Sequence, residues 1–268
     1  MNSNIAIITT VINKELYNNS SQFFPQNIQK YVIDGSNGMH GLDSINFMMN
    51  MLKGSEIDWL VMADEDVLFQ NSNLIFEIIK KMELENYSIC GCRDGGEISH
   101  RIYNPYVINT FFSILNFKEI EKIWNGNEVK KNQYINEYEF CDDLSKLSFK
   151  YDVSSLYEPY YCYYLWLRRK QKKILFLETR HPFKEDQITN AVYFENQIVF
   201  FHTWYARSYG VNLKHTERIN KVLALINNVA INPNKPKVFK HSTFFILKKW
   251  RKLKQKFLMK MDLILNSK

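Results

Sequence analysis

The stretch 57–69 constrains this chain more than any other part of the sequence. A run of apolar residues, 59–63, leads directly into three consecutive carboxylates, Asp64, Glu65 and Asp66. A continuous apolar run of this length predicts a strand that is buried on both faces, as in a parallel sheet covered by helices. Ligands of open α/β sheets bind beyond the carboxyl ends of such strands, so we expect Asp64 and Asp66 to lie at a binding site.

The spacing of these carboxylates suggests a metal ion. Alternation along an extended chain points Asp64 and Asp66 to one side and Glu65 to the other. No basic residue is near them in the sequence. Mg²⁺ and Mn²⁺ prefer one or two carboxylates, with phosphates and water in the other positions. A solvated acidic turn before a helix that starts near Asn71 is the alternative interpretation.

The apolar run followed by Asp64-Glu65-Asp66 resembles the Asp-x-Asp signature of glycosyltransferases of the GT-A fold. The resemblance implies an α/β fold in which a mixed, mostly parallel Rossmann-like sheet is flanked by helices. It also implies that Asp64 and Asp66 hold Mn²⁺ or Mg²⁺ on the diphosphate of a UDP- or GDP-sugar, with Asp64 close to the donor.

Strand and helix patterns alternate over the first 92 residues, as in nucleotide-binding α/β domains. They predict strands at 5–12, 31–33, 59–63 and 88–92, helices at 42–53 and 72–82, and a polar loop at 13–21. The resemblance assigns base or ribose contacts to Thr9 or Thr10 and to Asp34, and a nucleotide contact to His40. A plain turn at Asp34 and an exposed loop residue at His40 remain the alternatives.

The segment 93–157 gives weaker signals. His100, Arg101 and Asn104 combine hydrogen-bonding groups with nearby aromatic residues, which suits sugar recognition, so they are candidate acceptor-binding residues. The apolar pattern at 108–124 predicts an extended segment and a helix. The polar stretch 127–138 predicts an exposed excursion.

A candidate general base lies at Glu158. Proline is favoured at the first position of a helix, so Glu158-Pro159 predicts a helix that begins at Pro159 with Glu158 as its cap. The arrangement resembles the large inverting GT-A family, in which an acid opening a helix deprotonates the acceptor. Proline stands here where that family has a second acid, so Asp142, Asp143 and Asp186 remain alternatives, with Asp186 kept as a second catalytic candidate.

Another apolar strand, 198–201, ends in His202, and Arg207 follows a few residues later. Many GT-A enzymes supply a late histidine to the metal, so the resemblance implies that His202 joins Asp64 and Asp66 as a ligand. Imidazole suits Mn²⁺ better than Mg²⁺. Arg207 can form paired hydrogen bonds with a diphosphate. A structural histidine is the alternative.

The positive charge of the chain is concentrated in its last residues. Residues 235–268 hold eleven Lys or Arg and one acid, while the preceding residues hold 24 bases and 27 acids. A mildly acidic body argues against a nucleic-acid partner.

The apolar and basic pattern at 244–265 predicts an amphipathic helix in an anionic membrane interface, with a coiled coil or a helix docked on the body as alternatives. We therefore predict a catalytic domain at 1–233 and a basic tail at 234–268.

The remaining signals concern location and function class. The four cysteines lack Cys-x-x-Cys spacing, which predicts reduced thiols in a cytosolic protein. The first residues carry no basic segment, and no uncharged stretch reaches the roughly 18 residues of a spanning helix. We expect a cytoplasmic enzyme, peripheral at the inner face of the cell membrane, that glycosylates a lipid-linked, lipopolysaccharide or capsule precursor. A metal-dependent nucleotidyl- or phosphotransferase and a non-catalytic membrane-surface adaptor are the alternatives.

Overall fold

The computed structural model describes residues 3–94, 103–226 and 234–265. The strands in these ranges are β1 (Ile5–Val11), β2 (Gln29–Asp34), β3 (Trp59–Ala63), β4 (Val67–Phe69), β5 (Ile89–Arg93), β6 (Ile108–Asn116), β7 (Ile174–Arg180), β8 (Asn190–Phe194), β9 (Gln197–His202) and β10 (Lys237–Phe239). The α-helices in the same ranges are α1 (Lys14–Ser20), α2 (Gly41–Met51), α3 (Leu74–Glu85), α4 (Phe117–Ile123), α5 (Gly126–Lys130), α6 (Tyr161–Arg169), α7 (Leu213–Leu225) and α8 (Phe244–Leu265).

The described strands form one mixed sheet in the order β10-β2-β1-β3-β6-β5-β7-β8-β9-β4. Neighbours are parallel from β10 to β3, and β5 is parallel to β7. The other pairs, from β3–β6 to β9–β4, are antiparallel. The predicted α/β class is therefore confirmed, but the expectation of a mostly parallel sheet holds only for the half that contains β1 to β3.

Strand β3 lies in the middle of this sheet, between β1 and β6. Its side chains alternate between two apolar layers. Trp59 and Val61 pack into one layer, and Leu60 packs into the other. The prediction of a strand buried on both faces is confirmed, because each side of β3 meets a separate core.

The acidic triplet does not continue β3 as an extended strand. The chain turns at Asp64–Asp66, where the N–H of Val67 donates to the carbonyl of Asp64 at 3.1 Å. Strand β4 then pairs with β9 instead of extending β3. The prediction that strand alternation orients these carboxylates is therefore wrong, since a tight turn sets their directions.

Two further local predictions, the loop at 13–21 and the helix start at Pro159, are wrong. The loop expected at 13–21 contains α1, because the side chain of Asn13 accepts from the N–H of Leu16 and Leu16 is buried. Helix α6 begins at Tyr161, with Tyr160 at its N-cap position. Glu158 is thus not the cap, and its carbonyl accepts from the N–H of Tyr161 at 3.1 Å.

The last part of the chain contributes to the sheet before it becomes helical. Strand β10 pairs in parallel with β2, so the sheet includes residues from both sides of the predicted 233/234 boundary. The longer helix α8 follows. Among the described residues, no helix has the length and apolar character needed to cross a membrane. All four cysteines are free thiols, as predicted, and three of them are buried.

Candidate functional site

A cleft of about 780 Å³ opens at the edge of the sheet where β1 and β3 end. Parallel β1 and β3 bring their carboxyl ends to this edge, and antiparallel β6 begins here. The N–H of Asp64 donates to the carbonyl of Phe111 at 2.8 Å, which fixes the acidic turn against β6. The cleft is lined by six of the residues predicted from the sequence, namely Thr10, His40, Asp64, Asp66, Glu158 and Arg207.

Glu65 anchors the acidic turn to the end of β1. Its carboxylate accepts the backbone N–H groups of Ile12 and Asn13 at 3.0 and 3.1 Å. Burial, followed by the nearby Asp66 carboxylate, raises the pKa of Glu65 to about 6. Glu65 therefore joins the ends of β1 and β3, and the free energy of this contact depends on whether its carboxylate is ionised.

Asp64 has a strongly raised pKa. Burial and the neighbouring carboxylates of Asp66 and Glu65 raise the pKa of Asp64 well above its usual value, and Arg207 partly opposes this. The positive charge of Arg207 does not offset burial and the adjacent carboxylates, so a cation bound here would favour the ionised form of Asp64.

His202, at the end of β9, is buried beside the acidic turn. Its Nε2 lies 3.4 Å from Oδ1 of Asp66. The ring stacks on Phe111 at 3.9 Å between ring centroids and contacts Trp204 at 4.3 Å. The N–H and hydroxyl of Thr203 both donate to the carbonyl of Asp66, so β9 and the turn are joined next to the histidine. Two aromatic rings thereby fix the orientation of the imidazole.

The turn after His202 has an unusual backbone. Trp204 and Tyr205 both have left-handed backbone angles, with φ of 56° and 62°, and both line the cleft. The indole N–H of Trp204 donates to Asn190 at 2.7 Å, and Arg218 donates to the carbonyl of Trp204 at 3.2 Å. Side chains with a Cβ rarely adopt this conformation, and such strain is concentrated at functional sites.

Arg207 follows this turn and is exposed at the cleft. It forms no hydrogen bond or ion pair with the part of the chain that the structure describes, although it acts at longer range on Asp64 and His40. Burial, then Lys248 and Arg207, lower the pKa of His40. The hydroxyl of Thr10, on the same wall, shares a hydrogen bond with that of Ser44. This side of the cleft is therefore suited to a negatively charged ligand.

Glu158 lies on the wall formed by the start of α6. Its side chain is partly exposed, and its backbone carbonyl accepts from the amide of Gln133 at 3.0 Å. Pro159 and Tyr160 line the cleft beside it. Glu158 thus lines the same cleft as the acidic turn from a different segment of the chain.

Several predicted residues lie outside the cleft lining. Thr9 is buried in the sheet. Asp34 accepts from the N–H of Ser36 and pairs with Lys240 at 3.4 Å, contacts that lower the pKa of Asp34 against its burial. Asn104 is fully buried, and its amide donates to two carbonyls and accepts the N–H of Tyr106. His100 and Arg101 lie outside the described residues.

Asp186 also has structural partners. It accepts from the N–H groups of Ile188 and Thr189 and from the Thr189 hydroxyl, and it lies 3.5 Å from Arg218. Burial raises the pKa of Asp186, but these hydrogen bonds outweigh it, so the pKa is lowered. The side chain stabilises the turn before β8 and does not line the cleft.

The alternative bases at 142 and 143 lie in a different hollow, next to Arg93 and Arg168. Asp142 pairs with both of these arginines, and Asp143 caps a local turn by accepting from Ser145. Neither carboxylate lines the cleft that contains Asp64 and Glu158.

A buried carboxylate that was not predicted from the sequence lies behind the cleft wall. Asp94, at the end of β5, is fully buried and accepts hydrogen bonds from Asn109, Tyr160 and Tyr161. Asn109 and Tyr160 line the cleft, so Asp94 positions two wall residues from behind. The available signal was an acid two residues after the stretch 89–92, which is close to the pattern that marked Asp64.

A divalent cation fits these donors in part. Asp66 and His202 place a carboxylate oxygen and an imidazole nitrogen 3.4 Å apart, and a cation beside them would favour the ionised form of Asp64, which burial and the neighbouring carboxylates disfavour. Within residues 3–94, 103–226 and 234–265, no group of three or more His, Cys, Asp or Glu side chains is arranged to hold a metal ion. Mg²⁺ and Mn²⁺ commonly use one or two carboxylates and take their remaining ligands from phosphates and water. The residues therefore suit a cation completed by a substrate.

Comparisons with known proteins give little beyond this geometry. No protein-family model matches the chain. No curated protein matches it either. Among solved structures, it is similar to a glycosyltransferase involved in the glycosylation of the major capsid of PBCV-1, with 18% identity and a TM-score of 0.27. The match covers 44% of this chain and 63% of that one. A TM-score this low does not establish a shared fold.

Proposed function

We propose that this chain is a glycosyltransferase that moves a sugar from a UDP- or GDP-sugar to a glycan or glycolipid acceptor. One observation carries the proposal. Three separate segments bring an acidic turn, the exposed guanidinium of Arg207 and the second acid Glu158 to one cleft, and the buried imidazole of His202 lies 3.4 Å from the acidic turn. A nucleotide-sugar transferase requires this combination, because it must hold a diphosphate and also deprotonate an acceptor.

The donor diphosphate would occupy the wall next to Arg207. A guanidinium presents paired donors that match phosphate oxygens, and Arg207 is exposed and free to turn toward them. Gly41 and Ser44, in the first turn of α2, also line the cleft, so the helix directs backbone N–H groups toward the same region. Thr10 and His40 complete this wall and would contact the nucleoside or the phosphates.

Asp66 and His202 would hold Mn²⁺ or Mg²⁺, with Asp64 as a further ligand or a charge partner through water. When bound, such a cation supplies Lewis-acid stabilisation of the charge on the departing nucleoside diphosphate. The stacking of His202 on Phe111 presents its Nε2 toward Asp66 without further rearrangement. Arg207 would add positive charge on the side that faces solvent.

Glu158 would act as the general base. It would accept the proton of an acceptor hydroxyl as the acceptor oxygen bonds to the anomeric carbon and the bond from that carbon to the phosphate oxygen breaks. A single displacement of this kind inverts the anomeric centre. Glu158 lines the cleft beside the start of α6, on a different segment from the acidic turn, and this suits a base that serves an acceptor bound next to the donor.

The acceptor would be a cell-surface glycan or glycolipid precursor of the lipopolysaccharide or capsule type, glycosylated at the cytoplasmic face of the membrane. The concentration of basic residues after position 234 supports a membrane-associated acceptor. Contacts from His100 and Arg101 to the acceptor remain predictions from the sequence, whereas Asn104 is fully buried and its amide is hydrogen-bonded to the protein backbone.

The test is donor turnover across a panel of UDP- and GDP-sugars with Mn²⁺. Wild-type protein should release nucleoside diphosphate from at least one donor, and Asp66→Asn should reduce that rate by at least about 100-fold, a typical effect of losing one charge-stabilising group. Glu158→Gln should abolish transfer to an acceptor but leave donor binding intact.

Glu137→Gln is the matched control, because Glu137 is exposed and does not line the cleft. Its turnover should equal that of the wild type. Transfer of a nucleotidyl or phosphoryl group, instead of a sugar, would contradict the proposal and favour the alternative transferase class. Full donor turnover by Asp66→Asn would remove the acidic turn from the reaction.

A further inference from the structure

Helix α8 has two different faces, and its inner face is fixed to the rim of the cleft. Phe244 is buried against the body of the protein. The ammonium group of Lys248 donates to the carbonyl of Gly38 at 2.6 Å, and Arg251 pairs with Asp43 at 2.7 Å. Asp43 itself lines the cleft, so α8 rests on the segment that forms one cleft wall.

The outer face of α8 carries an apolar stripe. Its members recur at steps of three and four residues, which places them on one side of a helix, and they are Ile246, Trp250, Leu253, Phe257 and Met261. Each of these side chains is between 44% and 66% exposed. At about 100° per residue, Lys248 points to the opposite side, so docking of the inner face leaves the stripe in solvent.

Charge along the stripe indicates what covers it. Lys249, Lys254 and Lys256 are exposed and flank the apolar residues. The sequence 244–265 contains seven Lys or Arg and only one acid, Asp262. A second copy of the chain would bring like charges together on both sides of the stripe, which opposes pairing. An anionic bilayer accepts an apolar stripe between basic flanks.

We propose that the outer face of α8 lies in the interface of an anionic lipid bilayer while its inner face holds the cleft rim beside that surface. An α-helix with its side chains is about 10–12 Å across, and an interfacial helix buries its apolar face about 5–10 Å into the headgroup region, so the segment 38–43 lies next to the lipid headgroups. The acceptor of the proposed transfer, on which this last point rests, is then a glycolipid that stays in the bilayer while its sugar enters the cleft.

Sedimentation with vesicles tests the surface. Full-length protein should bind vesicles of phosphatidylcholine containing about 30% phosphatidylglycerol, bind phosphatidylcholine alone weakly, and dissociate as salt is raised. Leu253→Glu should weaken binding at least about tenfold, because it inserts a charge into the apolar stripe.

Leu84→Glu is the matched control, since Leu84 is 74% exposed on α3 and lies outside the stripe. It should bind vesicles as tightly as the wild type. Equal binding by Leu253→Glu and wild type would overturn the proposal. A dimer in solution that Leu253→Glu dissociates would also overturn it, because a second copy would then cover the stripe.

Photoactivatable lipids test the position of the cleft. A reactive group in the acyl chain should label the stripe, and one on the headgroup should label 38–43. Labelling of the stripe without headgroup labelling of 38–43 would overturn the placement of the rim. Donor turnover by Leu253→Glu should equal that of the wild type, so a failure of the glycosyltransferase assignment remains distinguishable from a failure of membrane binding.

Discussion

At the residue scale, Glu65 fixes the position of the acidic turn but destabilises the folded protein when it is ionised. Glu65 is 4% exposed, and its carboxylate accepts two backbone N–H groups that join the end of β1 to the acidic turn. Burial and the Asp66 charge nevertheless raise the pKa of Glu65 to about 6 from an ordinary 4.5. A protonated Glu65 suits the fold better than an ionised one.

This shift predicts a pH-dependent difference between wild type and Glu65→Gln. An acid with a raised pKa in the folded state contributes stability that is present below its unfolded pKa and lost as pH rises through the folded value. Ionisation should therefore cost the wild type about 2 kcal/mol of unfolding free energy between pH 4.5 and 7. The amide of Glu65→Gln keeps an acceptor for the two N–H groups and cannot ionise.

Urea unfolding of both proteins at pH 4.5 and 7.5 measures the effect. The stability of Glu65→Gln relative to wild type should rise with pH, because groups remote from Glu65 titrate alike in both proteins. A difference that stays constant across this range would show that Glu65 titrates with an ordinary pKa.

Single residues were predicted from the sequence with uneven success. Asp64 and Asp66 follow an apolar strand and Glu158 shortly precedes a helix, and such local patterns were sufficient to select residues that line one cleft. Asp34 and Asn104 followed equally plausible patterns. Their partners, such as Lys240 and the carbonyl of Ser155, lie far away in the sequence, so local pattern did not identify them as structural.

At the scale of elements, the close contact between β5 and β6 supports the cleft wall. Gly91 in β5 faces β6, and a Cβ there would lie 2.6 Å from Cγ2 of Ile108 and 2.8 Å from the carbonyl oxygen of Phe112. Ile108 precedes Asn109, which lines the cleft. The strand spacing in this region therefore requires glycine.

Gly91→Ala should lower the free energy of unfolding by about 2 kcal/mol, because the added methyl group overpacks the contact with β6. Gly54→Ala is a useful comparison, since a Cβ at Gly54 meets no atom within 4 Å although its φ is +73°. It should cost about 1 kcal/mol, from the left-handed backbone alone. Urea unfolding measures both, and a larger loss for Gly54→Ala would contradict the packing argument.

The elements themselves were predictable where burial is periodic. Strands β1, β3 and β9 and helix α2 follow runs or stripes of apolar residues. Helix α1 was missed because seven residues with three buried side chains give too short a pattern. The sequence left the turn at Asp64–Asp66 as the alternative interpretation, because the apolar residues on both sides mimic one long strand, whereas pairing of β4 with β9 bends the chain.

At the scale of the whole molecule, the sheet depends on contacts between distant parts of the sequence. Strand β4 pairs with β9, and β10 returns from the end of the chain to pair with β2. Such pairings leave no local signature, so the order of strands could not be predicted from the sequence, although the α/β class could. The same long-range pairing brings His202 to Asp66.

The central claim is that this cleft binds a nucleoside diphosphate together with a divalent cation. Isothermal titration calorimetry of UDP and GDP, with Mn²⁺ and with EDTA, tests it in wild type and in Asp66→Asn. We expect one nucleotide to bind wild type with Mn²⁺ and to bind at least about tenfold more weakly with EDTA or to Asp66→Asn. Absence of binding by both nucleotides with Mn²⁺, or equal affinity in all three conditions, would contradict the account.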